Sequence, residues 1–185
     1  MTRSEHNSRG YDHRVIEEKW QKRWHDCGLH KVNDDDKRPK WFEMTMYPYP
    51  SGDLHIGHWY AMAPADARAR FKRMQGYNVI YPMGFDSFGL PAENAAIKNK
   101  SHPKKFTEDA IKNYIKQMKN LGLSYDWSKK IETHNPSYYK WDQWIFLKMF
   151  EKGLAYKKES SVNWCPSCET VLANEQVVNG NCWRH

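Results

Sequence analysis

Two prolines set the reading of this chain. Pro48 and Pro50 follow the apolar run Trp41 to Met46, which reads as a short strand. Proline cannot sit in a central strand, so Tyr47-Pro48-Tyr49-Pro50-Ser51-Gly52 is a loop. A helix rich in Ala and Arg follows from about Gly57 to Gln75, with Pro64 expected to kink it. Gly76 ends it. Tyr77 to Tyr81 then reads as a second strand, Pro82 to Gly89 as a Gly-rich turn, and Leu90 to Lys98 as a further helix. The order strand, helix, strand, helix predicts parallel strands joined by a right-handed crossover.

The flanks read as helices and loops. Ile16, Trp20 and Trp24 recur every four residues, giving a packing helix from Tyr11 to Cys27 that Gly28 stops. Residues 33–40 form a charged loop. Thr107 to Leu121 reads as a helix capped by Thr107, with Glu108 and Asp109 at the positive end of its dipole and Gly122 beyond its end. Asn135-Pro136 opens another helix, to about Lys152, whose Tyr138, Trp141, Trp144 and Ile145 face is expected in the core. Leu154 to Lys158 and Ser161 to Trp164 read as extended.

Charge and cysteine usage narrow the setting. A formal net charge of +7 suits a polyanionic partner such as RNA or ATP. Met1 to Gly10 lack the apolar stretch of a secretory signal, and no apolar run approaches transmembrane length. Three of the four cysteines fall in the last 21 residues, which reads as metal binding rather than a disulfide framework. The expectation is a reducing, cytoplasmic protein with no membrane partner.

The Pro-rich loop ends in His55-Ile56-Gly57-His58, where the first crossover helix begins. In open parallel sheets, ligands bind outside the carboxyl ends of the strands. A helix N-terminus offers free N–H groups and a positive dipole end, which suit phosphate. Imidazoles three residues apart fall on one side of a helical turn. Gly57 between them leaves room for a nucleotide to approach. This favours nucleotidyl transfer: attack on the α-phosphate of ATP builds charge on the phosphoryl oxygens, and each aimed donor contributes ~3 kcal/mol. The four-residue pattern alone is a weak signal.

The cysteine segment is a stronger one. Cys165-x2-Cys168 is followed, after thirteen residues, by Cys182-x2-His185. Three thiolates and an imidazole make a closed tetrahedral Zn2+ site.

Longer runs carry a family resemblance. Met46-Tyr47-Pro48-Tyr49-Pro50-Ser51-Gly52-Asp53-Leu54-His55-Ile56-Gly57-His58 resembles the signature of class I leucyl-tRNA synthetases. Gly84-Phe85-Asp86-Ser87-Phe88-Gly89-Leu90-Pro91-Ala92-Glu93 is similar to their second signature. Leu121-Gly122 with Tyr125-Asp126-Trp127-Ser128 resembles a third, and Val162 to Pro166 with Thr170 to Val177 a fourth. The likeness covers nearly the whole chain from Tyr11 onward. Trp59 and Tyr60 depart from the family's pattern, where an Arg-Asn-Tyr-like segment is common.

The resemblance implies an α/β fold: the first half of a Rossmann-like parallel-sheet nucleotide-binding domain over 41–160, after an N-terminal helical extension over 1–40. The start of a small zinc-binding insertion would occupy 161–185. It implies leucine activation with ATP and Mg2+, then transfer of the leucyl group to the terminal adenosine of tRNA(Leu). His55 and His58 would be catalytic, contacting the ATP phosphates, with Gly57, Pro48, Ser51 and Gly52 also at ATP. Met46, Tyr47 and Tyr49 would wall the leucine pocket, and Asp86 would pair with the leucine ammonium. Cys165, Cys168, Cys182 and His185 would hold a structural Zn2+, although the family more often has Cys at the last position. No Lys-Met-Ser-Lys-Ser-like loop occurs in the sequence. The expectation is therefore an amino-terminal piece, monomeric and inactive alone. Two alternatives stand beside it: a small-molecule nucleotidyltransferase, and a non-catalytic zinc module that binds RNA. Sister enzymes for valine, isoleucine and methionine are the alternatives within the family.

Overall fold

The extended segments on either side of the first crossover helix run alongside each other. In this computed structural model, which describes residues 11–184, β1 (Lys40–Phe42) pairs in parallel with β2 (Asn78–Ile80). This ladder is shorter than the strand expected over Trp41 to Met46. Past Phe42 the chain remains extended. Glu43 donates its N–H to the Ile80 carbonyl at 2.9 Å, and Asp86 donates to the Pro48 carbonyl at 3.0 Å. Glu43 and Thr45 are buried while Phe42, Met44 and Met46 are exposed, the period of two that an extended chain imposes.

The crossover is α2 (Ile56–Met74), which continues through Pro64. Directly after β2, a two-residue strand β3 (Gly84–Phe85) pairs in parallel with β4 (Ile131–Glu132). The sequence reads there as a Gly-rich turn, and the structure corrects it. A Cβ on Gly84 would run into the Tyr47 ring, so this glycine serves a close approach between segments rather than a turn.

The remaining helices of this part follow their caps. α1 (His13–Asp26) starts at Asp12, whose carboxylate accepts the Arg14 N–H, and stops before Gly28 at φ 62°. α3 spans Leu90–Lys98. α4 (Pro103–Asn120) starts four residues ahead of the expected Thr107. His102 caps it by accepting the Lys104 N–H, Pro103 occupies the first turn, and Thr107 lies buried one turn in. Its inward stripe, Thr107, Ile111, Tyr114 and Met118, has helical spacing. Ile111, Tyr114 and Met118 of that stripe meet Met62 and Ala69 of α2 and Tyr81, Met83 and Phe85 in one apolar core.

Charged groups inside are paired. Arg68 grips the buried Glu43 through two nitrogens, at 2.8 and 2.6 Å. Burial pushes the Glu43 carboxyl up, but the hydrogen bonds from Arg68 and Trp41 outweigh it and hold the group below its usual range. Asp66 accepts both the N–H and the hydroxyl of Ser124 at 2.6 Å.

The chain divides into two compact units at Trp141/Asp142. α5 (Pro136–Glu151) contains no buried residue. Tyr138, Trp141, Trp144 and Ile145 are exposed, against the expectation of a core face. Apolar side chains lie all round this helix rather than in one stripe, so periodicity does not define a buried side.

The second unit carries two antiparallel hairpins. β5 (Asn163–Cys165) pairs with β6 (Thr170–Leu172), and β7 (Val177–Val178) with β8 (Asn181–Cys182). The second turns on Asn179 and Gly180, both at positive φ, as a two-residue hairpin requires. Among the described residues no helix is long and apolar enough to cross a membrane.

Candidate active site and cysteine cluster

His55 is the N-cap of α2, in extended conformation at φ −127°, ψ 174°. Its Nδ1 accepts the Gly57 N–H at 3.1 Å, and its own N–H donates to Nδ1 of His58 at 3.2 Å. The imidazoles satisfy two helix-start donors as a reciprocal capping box does, and their centroids lie 4.0 Å apart. A ring nitrogen that accepts an N–H carries no proton, so the neutral rings keep theirs on Nε2. Burial, and then the nearby His55, push His58 below its ordinary pKa, which favours the neutral ring at pH 7. The turn thus holds two Nε2–H donors. Gly57 has a local role: a Cβ there would come within 2.9 Å of the His55 ring.

The loop before this turn lies against the end of β3. The Tyr47 ring packs over Gly84, and the Asp86 N–H is held by Pro48. Ser87 is fixed from the other side. Its N–H donates to Thr133 Oγ1 at 2.8 Å, and its hydroxyl lies 2.7 Å from His134 Nδ1. Asp86 is half-buried between these anchors. Tyr47 is half-buried, Pro48 buried, and Ser51 and Gly52 exposed. Met46 is 85% and Tyr49 54% exposed.

Sequence reasoning overlooked the residues that support the loop from behind. Asn113, Tyr114 and Gln117 of α4 bond to Asp53, Tyr49 and Leu54. The available signal was two amides four residues apart in a helix otherwise rich in lysine.

The hairpins of the second unit gather Cys165, Cys168 and Cys182, whose sulfurs lie within 4.8 Å of one another. Cys168 and Cys182 are 3.9 Å apart, too far for a disulfide at ~2.05 Å. Sulfurs bound tetrahedrally at ~2.3 Å to one Zn2+ would stand ~3.8 Å apart, so the donor set fits that ion. Burial pushes the Cys165 thiol up, but the Cys168 N–H and neighbouring thiols outweigh it and lower it overall. His185, the expected fourth ligand, lies outside the described residues.

Comparisons with known proteins bear on this geometry. The model of the family described as "tRNA synthetases class I (M)" matches residues 44–184. The chain is 55% identical over 174 residues to the leucine–tRNA ligase of Dehalococcoides mccartyi, covering 94% of this chain and 21% of the relative. It is 56% identical over 170 residues to that of Rubrobacter xylanophilus, covering 92% and 21%. A crystal structure of the Agrobacterium radiobacter K84 LeuRS-tRNA-LeuAMS ternary complex superposes with a TM-score of 0.88 at 43% identity, over 95% of this chain and 23% of that one. Mycobacterium tuberculosis methionyl-tRNA synthetase with methionyl-adenylate shares the fold, at a TM-score of 0.64 and 23% identity over 78% and 28%. The chain spans about a fifth of the length of the curated relatives it matches.

Proposed function

The chain belongs to the class I tRNA synthetases, and from that premise we propose that it forms part of a leucine–tRNA ligase, carrying half of the site that activates leucine. The observation that carries this reading is the His55–His58 turn, which sets two Nε2–H donors at a helix start. In the first step, a leucine carboxylate oxygen attacks the α-phosphorus of ATP. The bond to pyrophosphate breaks, and leucyl-adenylate forms. His55 and His58 donate to the phosphoryl oxygens as charge builds there. Mg2+ belongs to this reading as the counter-ion of ATP, bound through phosphate oxygens. In the second step the leucyl group passes to the terminal adenosine of tRNA(Leu).

Asp86 has no hydrogen bond or ion pair to a described side chain, and its backbone is pinned. A carboxylate so held suits the leucine ammonium. Met46, Tyr47 and Tyr49 supply the apolar side of the leucine pocket, and Pro48, Ser51, Gly52 and Gly57 let ATP approach the backbone. Zn2+ on Cys165, Cys168 and Cys182, with His185 as fourth ligand, would tie the two hairpins together. A monomeric enzyme of the cytoplasm, where tRNA is charged, fits this reading.

The test is charging of tRNA by the longest product of the gene. Attachment of leucine is expected. Charging with methionine or valine instead would contradict the reading.

A further inference from the structure

Helix α4 reaches the two-histidine turn through three side chains on one face. The Gln117 amide is used at both ends: its carbonyl accepts the Leu54 N–H at 2.8 Å, and its NH2 donates to Asp53 Oδ1 at 2.8 Å. Asn113 donates to the same Asp53 oxygen at 2.6 Å. Tyr114 donates to the Tyr49 carbonyl at 3.1 Å, and its ring meets His58 edge-on with centroids 5.8 Å apart. Leu54 immediately precedes the N-cap His55, whose N–H goes to His58 Nδ1. Only the φ and ψ of Leu54 separate its amide from that of His55, and sterics leave few values open to them, so holding the first amide narrows the directions of the second.

We propose that Gln117 is a positioning residue for the donor pair. It fixes the Leu54 amide so that His55 and His58 keep Nδ1 occupied and present Nε2–H outward. The role matters for catalysis only if the two histidines contact phosphate, as the proposed function has it, but the geometry exists without ATP. Glutamine alone has both the reach and the two polarities. Glutamate would accept the Leu54 N–H but set its other oxygen against the Asp53 carboxylate. Asparagine is a methylene short. Methionine fills the space and makes neither bond.

The experiment is histidine-selective 15N labelling of the 185-residue protein. Long-range 1H–15N spectra at neutral pH read the tautomer of each ring. In the unsubstituted protein, His55 and His58 are each expected as a single Nε2–H tautomer. Gln117→Met and Gln117→Glu should each give tautomer-averaged signals. Combining Gln117→Glu with Asp53→Asn should restore the single tautomer, because the new NH2 at position 53 donates to the carboxylate at 117 while Asn113 turns its amide to accept the other N–H. Single-tautomer signals that persist in Gln117→Met, or a double variant as averaged as Gln117→Glu, would overturn the proposal. If Gln117→Met does not fold, the comparison of Gln117→Glu with the double variant decides. Rescued tautomers together with no leucine-dependent ATP–pyrophosphate exchange by the longest gene product would uphold the positioning role and defeat the functional reading.

Discussion

The backbone N–H of His55 donates to Nδ1 of His58 at 3.2 Å, so one histidine starts the helix and the other closes the start. His55 therefore has two separable duties, capping and donation. His55→Ala should lose both, and His55→Asn only the second, since Asn is a good N-cap. Urea unfolding is expected to show ~1 kcal/mol lost in the first and a few tenths in the second. Leucine-dependent ATP–pyrophosphate exchange by the longest gene product should fall ~100-fold or more in both. Full exchange in His55→Asn would mean that His55 is only a cap.

Gly84 and Tyr47 interlock, because a Cβ on Gly84 would overlap the Tyr47 ring. Gly84→Ala should lower stability by ~1–3 kcal/mol, as overpacking does, and raise the KM for leucine by displacing the ring. Adding Tyr47→Ala should recover part of the stability but not the KM. Thermal melts and exchange kinetics check the two halves.

The helices were readable because their ends are marked. Gly28, Gly76 and Gly122 sit where stops are wanted, while the cap Asp12 falls inside the helix expected from Tyr11. The start of α4 was misplaced because Thr107 is a plausible cap in sequence, while His102-Pro103 is a less obvious one. β3 and β4 were invisible. Two-residue ladders have no periodicity, and Gly84 looks like punctuation until Tyr47 is seen against it. In the site, the histidine turn was legible from spacing. Its rear support was not, because Gln117 and Asp53 meet only after the chain folds.

His30 gives the fold a pH dependence. Burial, and then the charges of Arg73 and Arg70, outweigh Asp66 and Asp126 and push it down to about 4. An ordinary His titrates near 6.5, so between these values the unfolded chain binds the proton and the folded one does not. Stability is thus present above about pH 6.5 and is lost as pH falls towards 4. With partial solvent screening the loss should be ~1–2 kcal/mol. His30→Phe should flatten that part of the urea-midpoint profile. An unchanged profile would remove His30 as the cause.

The cysteine cluster predicts bound metal. Protein purified without chelator should release ~1 Zn2+ per chain when its thiols are modified. Cys182→Ser should weaken retention at least ~10-fold, and chelation should melt the 163–182 hairpins, seen as lost amide protection. Zinc-free protein with fully protected hairpins would contradict the assignment.

The most direct measurement is ATP–pyrophosphate exchange by the longest product of the gene, with each aliphatic amino acid and with methionine in turn. The account predicts exchange that depends on leucine, with Asp86→Asn raising the leucine KM and His58→Ala lowering kcat. Exchange driven equally by another amino acid, or unaffected by both substitutions, would contradict it.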